Sequence, residues 1–133
     1  MELAKIVCDA GILGAGGAGF PTHVKINCKA EYVLANGAEC EPLLRVDQQV
    51  MQYYAADVVR GIRAVKEFTG AKHAVICLKE HYHEAVRALK EALKDADDVD
   101  SFLSGEEISF FDNSIKGLDD FELICFLVVR GEQ

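Results

Sequence analysis

The sequence has little positive charge, no paired-cysteine motif, no long apolar run and no internal repeat. Lys and Arg number 14 against 22 Asp and Glu, a formal net charge of -8, the wrong sign for a surface that follows nucleic-acid phosphates or anionic lipid. Nucleic acid is thereby set aside as a partner, and so is direct membrane insertion, because the longest strongly apolar run, Phe121 to Val129, is about half of what crosses a bilayer. The start, MELAKIVCDAG, lacks the basic, apolar and small-residue order of a signal peptide. A cytoplasmic chain is expected.

Cysteines stand at 8, 28, 40, 77 and 125 with no C-x-x-C spacing, so neither a disulfide framework nor a zinc or iron–sulfur site is written here. Cys8, Cys77 and Cys125 fall in apolar periodic segments and are expected as buried thiols acting as small hydrophobes. Cys40 lies in a polar loop. At 133 residues the chain suits one domain, long enough to bury roughly two thirds of its unfolded surface.

What is present alternates. Leu3, Ile6, Val7, Ala10 and Leu13 recur at helical spacing, with Gly14 as the expected stop. Glu31 to Ala35 is a short apolar run that suits a buried strand, after which Asn36-Gly37 opens a turn. From about Leu44 to Phe68 the apolar positions follow a helical period with a break near Tyr54, and Thr69-Gly70 ends it. His73 to Leu78 is β-branched and apolar, as a parallel strand covered on both faces requires. His83 to Lys94 returns to helix, the acidic run KDADDVD at 94 to 100 marks a solvated connection, and Ile108 to Asp112 and Phe121 to Val129 are further strand candidates. Strands alternating with helices predict an α/β fold, a three-layer sandwich around a mainly parallel sheet, as a single domain over 1–133.

Two segments carry chemistry. GILGAGGAGFPTHVK, residues 11 to 25, contains Gly14, Gly16, Gly17 and Gly19 within six residues. Gly14, Gly16 and Gly19 satisfy G-x-G-x-x-G, but the dinucleotide fingerprint leaves a strand and enters a helix. Here a helix precedes the loop, and Phe20-Pro21-Thr22 is expected to resist an immediate helix after it. A simple turn needs one or two glycines, so the density points to bare N–H groups facing an anion or a flat ligand, with the Lys25 cation close by. The second segment, NGAECEP at 36 to 42, follows a strand, and in open α/β sheets ligands bind outside the carboxyl ends of strands. Asn36, Glu39 and Glu41 suit ribose or ribityl hydroxyls; alone, the segment reads more readily as an Asn-Gly turn followed by a solvated acidic loop.

GAGGAGFPTHVK followed by NGAECEPLLRVDQQVM closely resembles the flavin mononucleotide (FMN) domain shared by the NADH-oxidising subunit of respiratory complex I and the RnfC component of Rnf-type ferredoxin:NAD oxidoreductases. The Rnf-C-like electron-transfer proteins, including a type associated with proline reductase, are the nearest in pattern. The resemblance runs from about Cys8 to Lys94 and implies an N-terminal fragment of a longer chain. It also implies that Gly14, Gly16, Gly17 and Gly19 wrap the flavin with Phe20 and Lys25 beside it, and that Asn36, Glu39 and Glu41 line the flavin and nicotinamide pocket. The family's chemistry is hydride transfer between NAD(H) and the flavin N5, with electrons leaving singly to iron–sulfur clusters, which here would lie in other domains or partner subunits of an electron-transfer complex, peripheral to a membrane. Ala15, Ala38 and Cys40 stand where complex I members have arginine, aspartate and glycine; the last two follow the Rnf-like pattern. From about residue 108 the segment lacks the family's Tyr-Pro loop, and the isolated chain is expected to be inactive as an enzyme.

Lesser candidates have structural expectations. His81 and His83 point apart on a helix and suit a solvated helix start, His23 suits a surface loop, and Asp47 suits a helix cap. Two further readings stay open: a domain that keeps the fold for docking after losing the cofactor, and an unrelated nucleotide-binding α/β domain.

Overall fold

A computed structural model describes residues 2–14, 19–37, 43, 45–104 and 123–127. The first helix, α1 (Leu3–Asp9), ends earlier than the periodicity suggests. Gly11, at φ +67°, is its stop: Ile12 N–H donates to the Val7 carbonyl and Gly11 N–H to that of Cys8, the paired bonds of a helix closed by a left-handed glycine. The expected stop at Gly14 is therefore corrected to Gly11. A short helix, α2 (Thr22–Ile26), starts directly after Pro21, against expectation. The proline restricts the residue before it, Phe20, and leaves Thr22 free to turn. His23 consequently belongs to α2 and is half-buried, not a loop residue.

Among the described residues there are four strands, β1 (Tyr32–Asn36), β2 (His73–Lys79), β3 (Asp100–Ser104) and β4 (Leu123–Leu127). Their order is β3-β2-β1-β4, and each neighbouring pair is parallel. Between β1 and β2 run α3 (Val46–Tyr53) and α4 (Ala55–Thr69), and between β2 and β3 runs α5 (His83–Ala92) with a 3-10 turn at Leu93–Asp95. The expected break falls at Tyr54, φ −126°, yet Tyr54 N–H still donates to the Val50 carbonyl and Val58 N–H to that of Tyr54, so the direction changes without orphaned backbone groups. Arg45 holds the cap position of α3, and Asp47 lies inside the first turn, where a carboxylate favours the positive end of the helix; the cap expected of Asp47 is corrected accordingly. Gly70, φ +69°, ends α4 as expected.

One core joins Val33 and Ala35 of β1 and Ala74, Ile76 and Leu78 of β2 to Met51, Val59, Ile62, Ala85 and Leu89 of the three long helices. Each fully buried Ile, Leu or Met contributes about 1.5–3 kcal/mol of transfer free energy. Leu34 and Cys77, on the opposite face, are buried too, so both faces of the two central strands are covered, as a three-layer fold demands. Cys8 is exposed on α1, contrary to expectation, because that helix buries no residue completely; the Cys125 side chain and Cys40 lie outside the described residues. The acidic run is not only a connection: Ala96 and Val99 within it are buried in the core, and Asp100 already opens β3. The strand expected at Ile108 to Asp112 lies outside the described residues.

Candidate functional site

The glycine loop is closed at its base. Leu13 and Pro21 form an antiparallel bridge, Gly14 N–H donates to the Phe20 carbonyl at 3.0 Å, and Thr22 N–H donates to that of Ile12 at 3.3 Å. Gly14 and Phe20 are thus brought together, at a hairpin-like neck. Gly19 has φ +67°, a conformation that costs a side-chain-bearing residue about 1–2 kcal/mol. A Cβ on Gly14 would meet only ordinary contacts with the Phe20 backbone, so the neck tolerates alanine there. Phe20 is 52% exposed. Lys25 lies on α2, one turn beyond the neck, and its carbonyl accepts a bond from the Cys28 thiol. Gly16 and Gly17 lie outside the described residues.

The second segment begins where β1 ends. Asn36 is half-buried and pairs in register with Cys77. Gly37 does not open a turn at once: it is buried, and its N–H donates to the Cys77 carbonyl at 2.7 Å, which prolongs the ladder by one bond. A Cβ there would lie 3.1 Å from that carbonyl oxygen and would displace the end of the Met51 side chain, so glycine is the residue that fits without a shift. Glu39 and Glu41 lie outside the described residues. Beyond them Leu43 is fully exposed at φ +69°, a strained state for leucine that costs of the order of 1–3 kcal/mol.

Topology gives Asn36 its meaning. The chain passes from β1 to β2 to β3 in one direction across the sheet, then returns to lay β4 on the other side of β1. In doubly wound sheets the crevice for a ligand lies at the carboxyl ends of the strands where the order reverses, and that point is between β1 and β4. The donor set suits a flavin nucleotide: a glycine loop for a phosphate, a lysine one turn away, and a side-chain amide at the strand end for ring or ribityl groups.

Elsewhere, a groove of about 620 Å³ is lined in part by Arg60, Arg63, Lys66, Glu67 and Asp98. It opens at the amino ends of β2 and β3, away from the reversal point. Within it Arg63 meets Asp98 at 3.0 Å and Lys66 approaches the same carboxylate at 3.9 Å. His81 lies in the turn after β2 and His83 opens α5, on either side of buried Tyr82, so they share no site. Sequence reasoning took Gly37 only as the opening of a turn; its bond to the Cys77 carbonyl and its closeness to Met51 emerge only from the fold.

Comparison with known proteins agrees with this geometry. The family model described as the Nuo51 FMN-binding domain matches residues 7–120. The chain is 51% identical over 94 residues to the cobalamin reductase PduS of Salmonella typhimurium, covering 71% of this chain and 21% of that protein. It is 38% identical over 102 residues to the C component of the ion-translocating oxidoreductase complex of Actinobacillus succinogenes, covering 74% and 14% respectively. An NAD+-reducing [NiFe]-hydrogenase in the air-oxidised state superposes with a TM-score of 0.62 at 28% identity, over 77% of this chain and 20% of that one. The chain therefore spans about a fifth or less of the length of these relatives.

Proposed function

Because the chain belongs to the family of the Nuo51 FMN-binding domain, we propose that it is the flavin-holding part of an Rnf-C-like electron-transfer oxidoreductase. The observation that carries this reading is the family match itself, which runs continuously through both the glycine loop and the segment after β1. Bound there, the flavin supplies hydride acceptance and the release of single electrons, chemistry that belongs to the cofactor.

The chain's own residues bind and orient. Amides of the loop Gly14, Gly16, Gly17 and Gly19 face the phosphate, helped by the Lys25 ammonium, because successive bare N–H groups form an anion-binding concavity. The Phe20 ring, half exposed at the neck of the loop, covers the flavin from that side. Glu39 and Glu41 accept hydrogen bonds from ribityl hydroxyls, and the Asn36 amide can accept from a hydroxyl and donate to the ring edge. The donor is a nicotinamide, in line with the likeness to an NAD+-reducing hydrogenase, or another reductant. The acceptors are iron–sulfur clusters in other domains or subunits of a complex, in line with the greater length of the relatives. Among the described residues no helix is long and apolar enough to cross a membrane, and we place the domain in the cytoplasm, at the periphery of such a complex.

Titrating the protein with FMN while following the quenching of flavin fluorescence tests this reading. Saturable binding that ADP does not compete for is expected. Failure to bind flavin, together with recovery of a stable partner in a pull-down, would favour a docking domain that has lost its cofactor; binding of ADP in place of flavin would favour an unrelated nucleotide site. With FMN and NADH added anaerobically, flavin bleaching no faster than the free-flavin control is expected, since misplacing a nicotinamide by about an ångström costs about 100-fold in rate and the sequence from about residue 108 lacks the family's Tyr-Pro loop.

A further inference from the structure

Register decides which side chains share the carboxyl edge of the sheet. Tyr32 of β1 pairs with His73 of β2, and their rings stack with centroids 4.6 Å apart, so these two point to the same face. Because side chains alternate along a strand, Leu34 and Asn36 follow Tyr32, and Val75, Cys77 and Lys79 follow His73, on that face. Val33, Ala35, Ala74, Ile76 and Leu78 fill the core on the other. Asn36 pairs with Cys77; Lys79 is therefore the next residue on Asn36's own face, about 8 Å away between Cα atoms from strand spacing and rise. It stands farther toward the edge where a ligand is expected.

Lys79 is also half-buried, whereas the Lys72 side chain, at the other end of the same strand, is 74% exposed. Lysine is mostly an exposed residue, and this one closes a strand whose preceding two residues are buried. In a chain of net charge -8, it places a cation at the carboxyl end of β2, distinct from Lys25 on α2. Resting on the flavin reading above, we propose that Lys79 is a further binding residue. Its ammonium, beside Asn36, contacts the ring and ribityl part of the flavin, not the phosphate, and favours the reduced, negatively charged ring.

The test is a fluorescence-quenching titration of wild type, Lys79→Gln, Lys79→Arg and Lys72→Gln with both FMN and riboflavin, with a melting curve for each variant. Lys79→Gln is expected to weaken both flavins about tenfold, the loss of one hydrogen bond to a charged group. Lys79→Arg should keep most of the affinity, Lys72→Gln all of it, and the midpoint potential of bound FMN should fall in Lys79→Gln. Unchanged affinity for both flavins in Lys79→Gln would overturn the proposal; so would a loss confined to FMN, which would make Lys79 a phosphate ligand. Should Lys79→Gln fail to fold, Lys79→Met, which keeps the aliphatic stem, is read by the same criteria. A wild type that binds neither flavin would sink the flavin reading itself, and this inference with it.

Discussion

The two ends of the parallel sheet differ in what their polar groups do. At the amino end they bind the chain to itself: the Glu31 carbonyl accepts the N–H groups of Lys72 and His73, and Ala30 N–H donates to the Thr69 carbonyl. There too the Thr69 hydroxyl donates to the Val65 carbonyl, Tyr32 stacks on His73, and the Lys66 ammonium donates to the Asp98 carbonyl. At the carboxyl end β1 and β2 finish in Asn36 and Lys79 directly after buried apolar residues, and the order of strands reverses beside β1. On the flavin reading, strand ends alike in backbone are thus divided in labour, one closing the fold and the other offering Asn36 and Lys79 to the ligand.

Between the two ends, Ile76→Ala should have the largest effect of all. Ile76 is completely buried at the middle of β2, and removing its branched side chain costs about 2–5 kcal/mol through lost transfer energy and the cavity left behind. Chemical denaturation should show that loss, while flavin affinity measured below the transition stays near wild type. A loss of affinity without a loss of stability would mean that the core, and not the edge, sets the site.

Gly37→Ala comes next, because it strikes the carboxyl end by packing. The new methyl group would press on the Met51 side chain and on the Cys77 carbonyl. Overpacking of this kind costs about 1–3 kcal/mol, and the displacement passes directly to Asn36. Stability and flavin affinity should fall together; wild-type affinity in this variant would detach Asn36 from the site.

Much of this division was legible in the sequence, and the limits are physical. Elements with their own periodicity declared themselves: β2 by its apolar run, and the α3–α4 pair with its break at Tyr54. Strand β3, DSFLS, did not, since it has no β-branched residue and owes its conformation to pairing with β2; strand propensity depends on context of this kind. The end of α1 was misplaced by three residues, because several glycines in succession all qualify as stops and only the hydrogen bonds of Gly11 choose among them. Gly14, Gly19 and Asn36 were put forward from loop composition and position, and Phe20 from the family resemblance. Lys79 was not, because its nearness to Asn36 exists only once two strands separated by two helices are set in register.

A matched pair of glycines sharpens the comparison further. Gly19 in the loop has φ +67° and Gly70 at the end of α4 has φ +69°, and an added Cβ at either would meet nothing within 4 Å. Alanine at each position therefore imposes the same backbone penalty, about 1–2 kcal/mol, with no steric difference. Gly19→Ala should weaken flavin binding roughly tenfold, as a distorted loop forfeits about one charge-assisted hydrogen bond, whereas Gly70→Ala should lower the melting temperature alone. Equal flavin affinities in the two variants would reduce the loop to a connector.

The smallest effect is expected from Arg63→Gln at the amino end. Arg63 meets the Asp98 carboxylate at 3.0 Å, but both side chains are more than a third exposed, at 47% and 40%. Solvent-exposed pairs contribute about 0–1 kcal/mol and are screened by salt. Lys66 also remains to hold the segment through the Asp98 carbonyl at 2.8 Å, so the turn before β3 keeps its tether when the arginine is lost. Chemical denaturation should show less than about 1 kcal/mol of destabilisation at low ionic strength, vanishing at high salt, with flavin titrations unchanged throughout. A loss of several kcal/mol that persists at high salt would show that the groove beside α4 is a buried structural network. A loss of flavin affinity would carry the site across the whole length of the sheet and erase the difference between its two ends.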